Sequence, residues 1–181
     1  MKKYLFITLI LTFLGGCASV TTQYYRLPDS GLPKQEKNTH LVALKVAMPN
    51  FLNTTSMAYQ TDDVTLNFSQ QNLWADSLQN SITQSLINKL NKKTNVQEYV
   101  ISQAPLNKNI TVAVNRFYGR YDGHVTVSGF IQMTSAEGKI LKSQNFDFSI
   151  AQKGDGYAAM VRALDTSLDQ LTQTILTEMN E

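Results

Sequence analysis

Cysteine and histidine are scarce in this chain of 181 residues, which contains one cysteine, Cys17, and two histidines, His40 and His124. With Cys17 as the only thiol, no intramolecular disulfide can form, so stability must come from a hydrophobic core. Neither histidine has a second metal ligand or a nucleophile at the spacing of a zinc site or a catalytic elbow. We therefore expect both histidines to lie on the surface, and the protein to be neither an enzyme nor a metalloprotein.

An excess of charge is also lacking once the first residues are set aside. The chain has 16 Lys and Arg against 14 Asp and Glu, and Lys2 and Lys3 account for the difference. The rest carries no basic run of the kind that nucleic-acid-binding proteins display, so no nucleic-acid partner is expected.

The N-terminus lacks a run long enough to cross a membrane. Tyr4 to Leu14 form an apolar run of eleven residues, whereas a spanning helix needs about 20. Lys2 and Lys3 precede the run and small residues follow it, which is the layout of a secretory signal peptide over residues 1–16.

The end of that signal, Leu14-Gly15-Gly16-Cys17, resembles the bacterial lipobox. In such a motif the cysteine thiol is diacylglycerylated, the signal is cut before it, and the new amino terminus is acylated. Several acyl chains on one residue anchor a protein stably without a spanning helix. Ala18 after the cysteine, where Asp would favour the inner membrane, predicts the periplasmic face of the outer membrane. The alternative is a plain signal peptide followed by an unmodified cysteine.

Cleavage leaves 181 − 16 = 165 residues, which suits one domain. We expect residues 17–40 to form the lipidated N-terminus, with a short strand at Tyr24 to Leu27 and a polar tether after it. Residues 41–181 then form the main domain.

Alternating apolar residues predict most of the strands. Asp122-Gly123 and Glu137-Gly138 predict hairpin turns in the second half, which therefore reads as an antiparallel meander. Gly129 marks a bulge or a close approach between strands. The predicted strands cover residues 42–48, 56–60, 64–68, 96–101, 110–114, 125–133 and 146–150.

Two amphipathic helices are predicted from apolar stripes. The first begins at an N-cap Ser69 and has a polar face of Gln, Asn, Ser and Thr; its stripe is Trp74, Leu78, Ile82, Leu86 and Leu90. The second has the stripe Tyr157, Val161, Leu164, Leu168, Leu171 and Ile175. The chain is thus expected to fold as a single α+β domain, a mainly antiparallel sheet with two long helices packed on one face.

Other candidate residues favour structural roles. Asp62-Asp63 reads as a turn and not as a catalytic carboxylate pair, and Gly154-Asp155-Gly156 as a helix cap and not as a phosphate loop. Trp74 could contact lipid or a partner, but a core position is favoured. Tyr24-Tyr25 could lie at a lipid interface or begin the sheet, and the sheet is favoured.

Several of these segments together resemble the ABC-type transport auxiliary lipoprotein family. The segments are Cys17, Tyr24-Tyr25-Arg26-Leu27, the strand from Val42 to Met48, Met57-Ala58-Tyr59-Gln60, Trp74 with Leu78 and Leu90, and Val161, Ala163, Leu164 and Leu168. The resemblance implies an outer-membrane lipoprotein that works with an MCE-domain tunnel protein and its inner-membrane transport component to move lipids between the membranes. It also implies a homo-oligomeric ring against the tunnel and no cofactor beyond the covalent lipid on Cys17.

Two classes of function follow. The first is a non-catalytic subunit of an envelope lipid-transport system. The second is a stand-alone periplasmic lipoprotein that binds a ligand or a cell-wall component, and a cluster of polar anchors around an apolar pocket would favour it.

Overall fold

The computed structural model of the protein describes residues 21–32 and 40–178. The predicted lipobox and sorting residues Leu14, Gly15, Gly16, Cys17 and Ala18 lie outside the described residues, as does most of the predicted tether. Within the described ranges the elements follow the order β1 (Gln23–Tyr25), β2 (Leu41–Ala47), β3 (Ser56–Gln60), β4 (Leu66–Trp74), α1 (Leu78–Asn91), β5 (Glu98–Val100), β6 (Lys108–Gly119), β7 (His124–Thr134), β8 (Ile140–Ala151) and α2 (Gly156–Glu178).

The strands form one mixed sheet around β6. Strands β6, β7 and β8 make the antiparallel meander that the turn signals predict, and Gly123 and Gly138 have the positive φ angles of 77° and 82° that its tight turns use. On its other side β6 pairs in parallel with β2 and, at its last residue, with β3. Strand β5 lies beside β2, while β4 and then β1 lie beside β3. The parallel pairs β2–β6, β2–β5 and β1–β4 add to the antiparallel arrangement that the sequence predicts.

Both helices pack against this sheet and against each other, α1 on β2 and β5, and α2 on β6, β7 and β8. Their predicted apolar stripes are buried: Leu78, Ile82, Leu86 and Leu90 in α1, and Val161, Leu164, Leu168, Leu171 and Ile175 in α2. The predicted α+β fold with two long amphipathic helices is therefore confirmed.

The predicted start of the first helix is wrong. Helix α1 begins at Leu78 behind the N-cap Ser77, whose side chain accepts a hydrogen bond from the Asn80 N–H. Ser69 lies inside β4, where its hydroxyl oxygen accepts from the backbone N–H groups of Gln71 and Asn72. Such a local turn uses the same hydroxyl-to-amide bond as a helix cap, so residue type alone does not separate the two.

The polar face of α1 is also less exposed than predicted, because Ser81 and Ser85 are buried. The chain after β1 covers this side of the helix. Leu27 is fully buried, the Ser85 hydroxyl donates to the Pro28 carbonyl at 3.2 Å, and the Asn88 amide donates to the carbonyl of Asp29 at 2.6 Å. The beginning of the predicted tether is thus fixed to α1.

Gly129 in β7 lies at a close approach to the neighbouring strand, as the sequence predicts. A Cβ atom there would lie 1.8 Å from the Ala113 carbonyl oxygen of β6. The register of the pair shifts nearby, between Val114 and Arg116. Only a residue without a side chain fits against the neighbouring backbone.

The sheet has two ends that matter for function. We call one the tyrosine end; it carries the turn 61–65, the turn 120–123 and the connection 152–155 that leads into α2. The other, the distal end, carries the first residues of β2, β5, β6 and β8.

Candidate functional site

An open groove lies at the tyrosine end. It has a volume of about 360 Å³ and is formed where β3, β6 and β8 end and α2 begins. This volume is at the lower limit of those that hold small ligands. Its lining residues are Tyr59, Gln60, Thr61, Gly119, Arg120, Tyr121, Gln152, Gly156, Tyr157 and Met160.

Tyrosine rings form one wall of the groove. The rings of Tyr59 on β3 and Tyr157 on α2 meet edge to face, with centroids 6.2 Å apart. Tyr25 on β1 lies behind them, 6.1 Å from Tyr157, and its hydroxyl donates to Asn72 Oδ1 at 3.3 Å. This aromatic cluster therefore links the first strand of the chain to the start of its last helix.

The floor depends on close contact between β6 and α2. A Cβ atom on Gly119 would lie 2.5 Å from the Sδ atom of Met160. Glycine at this position allows the Met160 side chain to lie directly on the end of β6. The floor is thus apolar, since a thioether covers the backbone there.

The rim of the groove is polar. The Tyr121 hydroxyl donates to Asp63 Oδ1 at 2.6 Å and so connects the turns 120–123 and 61–65. This hydrogen bond and the negative charge of Asp63 raise the pKa of Tyr121. Arg120 pairs with Asp122 at 3.0 Å, while its buried Nε has no hydrogen-bond partner among the residues that the structure describes.

The turn predicted at Asp62-Asp63 is confirmed. Asp62 Oδ1 accepts the backbone N–H groups of Val64 at 2.9 Å and Thr65 at 2.7 Å. These hydrogen bonds lower the pKa of Asp62 because they favour its ionised form, and the bond from Val64 has the largest effect. With Asp63 bound to Tyr121, the two carboxylates do not form a pair around one site.

The two histidines lie at opposite ends of the sheet. His40 is exposed at the distal end, where its carbonyl accepts the Glu98 N–H at 2.9 Å. His124 is half-buried at the tyrosine end, with Nδ1 3.2 Å from the carbonyl oxygen of Asp122. The structure does not bring them together, and residues 21–32 and 40–178 hold no cluster of three or more metal-ligating side chains.

The remaining predicted residues have structural positions. Trp74 is buried as predicted, with its ring centroid 6.3 Å from that of Phe117, although it ends β4 and is not in the helix. Tyr24 and Tyr25 do begin the sheet, and Tyr24 is 67% exposed. Gly154-Asp155-Gly156 leads into α2, with both glycines at positive φ.

A charge cluster around the buried Lys89 joins the two helices to the chain after β1. Lys89 Nζ of α1 lies 2.7 Å from Asp169 and 3.0 Å from Asp165, both on α2, and 3.9 Å from Asp29. Burial disfavours the charged form of Lys89, but hydrogen bonds to Asp169 and Asp165 outweigh this effect and raise its pKa. Burial raises the pKa of Asp165, whereas the hydrogen bond from Lys92 lowers that of Asp29.

The residues of the groove and of this cluster are spread along most of the chain. The part of the chain that is similar to a known protein family includes all of them. The ABC-type transport auxiliary lipoprotein component family matches residues 25–176. The chain belongs to this family.

Relatives within the family agree over the full length. Intermembrane transport lipoproteins PqiC of Escherichia coli K12 and of Shigella flexneri are both 32% identical to this chain over 188 residues, which cover 99% of it and 98% of each relative. A crystal structure of an uncharacterized protein superposes with a TM-score of 0.77 at 28% identity, covering 88% of this chain and 99% of that one. The protein XCC0632 of Xanthomonas campestris shares the fold, with a TM-score of 0.69 at 14% identity over 85% of this chain and 92% of its own.

The family is one of transport auxiliary lipoproteins, and the two PqiC relatives are named as intermembrane transport lipoproteins. Among residues 21–32 and 40–178 no helix is both long and apolar enough to span a bilayer.

The groove was not predicted from the sequence, because its residues come from four separate elements. The Asp122-Gly123 turn and the start of the last helix were the available signals.

Proposed function

We propose that the protein is the non-catalytic outer-membrane lipoprotein subunit of an MCE-type lipid-transport system that links the inner and outer membranes. The observation that carries this proposal is the full-length similarity to intermembrane transport lipoproteins. The two helices and the sheet form a well-packed domain, and such a domain suits a subunit that acts by docking.

The partners in this proposal are an MCE-domain tunnel protein and its associated inner-membrane transport component. An affinity purification of the lipoprotein from detergent-solubilised envelopes tests the first contact. We expect the MCE protein to co-elute. A deletion of the lipoprotein gene should weaken the outer-membrane barrier as much as a deletion of the MCE gene, and the double deletion should be no worse. Additive defects without co-elution would contradict the proposal.

The anchor of the proposal is Cys17, acylated after removal of residues 1–16, with Ala18 directing the protein to the outer membrane. Cys17→Ser should abolish acylation and leave an unprocessed precursor, because no other thiol is present. Ala18→Asp should move the protein towards the inner membrane. Mass spectrometry of the mature N-terminus and density-gradient fractionation measure the two effects. Normal acylation of the serine variant would exclude the lipobox assignment.

A homo-oligomeric ring is part of the same proposal. The outer edge of β8, twelve residues long, has no partner strand within the described residues, and Ile140 and Leu141 at its start are 58% and 49% exposed. An edge of this length and exposure favours pairing between chains. Mass photometry of the purified protein measures the assembly, and Leu141→Lys should shift it towards the monomer.

The stand-alone binding lipoprotein is the second candidate, and the groove at the tyrosine end is the observation that favours it. This function predicts a ligand that co-purifies with the protein in a strain without the MCE gene. If deleting the lipoprotein gene causes no further defect in the strain without the MCE gene, the result favours the transport system instead.

A further inference from the structure

The chain ahead of β1 limits where a membrane anchor can lie. Gln23 comes 23 − 17 = 6 residues after Cys17, and six extended residues span at most about 20 Å. Strand β1 runs parallel to β4, so its N-terminal end points away from Trp74 and towards Leu66, which lies at the tyrosine end. The backbone direction at Gln23 therefore leads to that end of the sheet.

The strand registers give the distance to be covered. Tyr24 pairs with Leu73, which pairs with Ser56 of β3, and β3 ends four residues later at Gln60. Four residues of strand measure about 13 Å. An anchor on Cys17 thus reaches the tyrosine end but extends past it by less than about 10 Å.

The distal end is out of reach in the same orientation. Through these pairs and the pairing of Tyr59 with Gly119, Tyr24 is level with about Arg116 of β6, eight residues from the first residue of β6 at the distal end. Eight residues of strand measure about 26 Å, which is more than the anchor segment spans. Exposed apolar side chains occur at both ends, such as Val64 at the tyrosine end and Val96 at the distal end, 92% and 77% exposed. Exposure alone therefore does not select the membrane-facing end, whereas the length and direction of the anchor segment do.

The tyrosine end also has the composition of a lipid-contacting surface. Tyr121 is 54% exposed and its hydroxyl bonds to Asp63, the residue before the exposed Val64. The groove is also lined by Tyr59, Tyr157 and the Met160 thioether. Tyrosine is enriched where protein meets the headgroup region, because its ring is apolar and its hydroxyl polar.

From these observations we infer that the tyrosine end rests on the phospholipid surface of the membrane, with the turn 61–65, Tyr121 and the mouth of the groove in contact with lipid. The inference rests on the proposed acylation of Cys17. It adds that the domain itself touches lipid, and it leaves the distal end facing away from the membrane towards other proteins.

Site-specific fluorescence tests this orientation. Val64→Cys and Val96→Cys form a matched pair, since both residues are exposed valines at opposite ends and acylation of Cys17 leaves the new thiol as the only reactive one. Each full-length lipidated protein is labelled with an environment-sensitive nitrobenzoxadiazole probe. It is then reconstituted into vesicles of phosphatidylethanolamine and phosphatidylglycerol that contain some phosphatidylcholine spin-labelled on its acyl chains.

The probe at position 64 should shift its emission to the blue and lose intensity to the spin label, while the probe at position 96 should keep the emission it has in water. Equal quenching at both positions, or none at 64 in protein that floats with the vesicles, would overturn the inference and leave the tyrosine end as a candidate protein-docking surface. Protein that fails to float, and whose Cys17 takes up the label, would instead refute the proposed anchor and this inference with it.

Discussion

Replacing Lys89 by alanine tests whether the charge cluster around it holds the domain together. The Lys89 side chain is 6% exposed, and Asp165 opposite it is 16% exposed. Removing the ammonium group leaves the largely buried Asp165 beside the negative charges of Asp169 and Asp29. Breaking a buried ion pair from one side costs about 3 to 5 kcal/mol, because the remaining charge is no longer compensated.

Lys92→Ala is the matched control, since Lys92 pairs with the same Asp29 but is 63% exposed. An exposed pair contributes about 0 to 1 kcal/mol. Chemical unfolding of the mature domain measures the free energy of unfolding of each variant. For a protein of this size the loss at Lys89 corresponds to a drop in melting temperature of roughly 6 to 20 °C.

The pH dependence gives a second readout. The raised pKa of Lys89 means that its contribution to stability is complete at neutral pH and is lost as pH rises through the folded-state value. As pH falls, Asp165 becomes protonated at a higher pH than an ordinary aspartate, because burial raises its pKa. The deficit of Lys89→Ala should therefore shrink in acid. Equal small losses for Lys89→Ala and Lys92→Ala, independent of pH, would refute the reasoning.

Three further predictions concern the core, the sheet and the chain after β1. Ile82→Ala should lower the free energy of unfolding by about 2 to 5 kcal/mol, because Ile82 is fully buried, whereas Gln84→Ala on the same helix should stay within about 0.5 kcal/mol in urea titrations. Gly129→Ala should lower the free energy of unfolding by about 1 to 3 kcal/mol, because its Cβ would overlap the Ala113 carbonyl. A calorimetric melting temperature equal to that of the wild type would contradict the close approach. The lowered pKa of Asp29 means that its charged form stabilises the fold above its ordinary value of 3.8 and ceases to do so as pH falls through the folded-state value. Asp29→Asn should thus be less stable than the wild type at neutral pH and equally stable in strong acid, as thermal melts across pH can show.

Local patterns predicted much of the fold. The alternation in β6, β7 and β8 and the two apolar stripes each reflect a repeating geometry, so the meander and the helices follow from spacing alone. The start of α1 did not, because Ser69 and Ser77 offer the same hydroxyl and their difference depends on pairing of β4 with β3. Tertiary context decides such a case.

The candidate site was less predictable than the fold. Tyr59, Tyr121 and Tyr157 stand far apart in the sequence. The pairing of β3 with the end of β6 brings Tyr59 and Tyr121 together, and the connection from β8 into α2 places Tyr157 at the same end of the sheet. From the sequence, a lysine near the end of a predicted helix, such as Lys89, is expected only to offset the negative end of the helix dipole. Its burial depends on how α2 crosses α1, and no pattern within either helix encodes that crossing.

The way β1 joins the sheet also determines how the domain bears load. A force that pulls the chain ahead of Gln23 along the strand acts parallel to its neighbour β4, so the hydrogen bonds between them are sheared together and not peeled one at a time. Behind β1, buried Leu27 and the bonds from Ser85 and Asn88 hold the next turn to α1 and share the tension. The first strand is only three residues long, so the contacts of the following turn with α1 add to the resistance of this edge against a pull on the N-terminus.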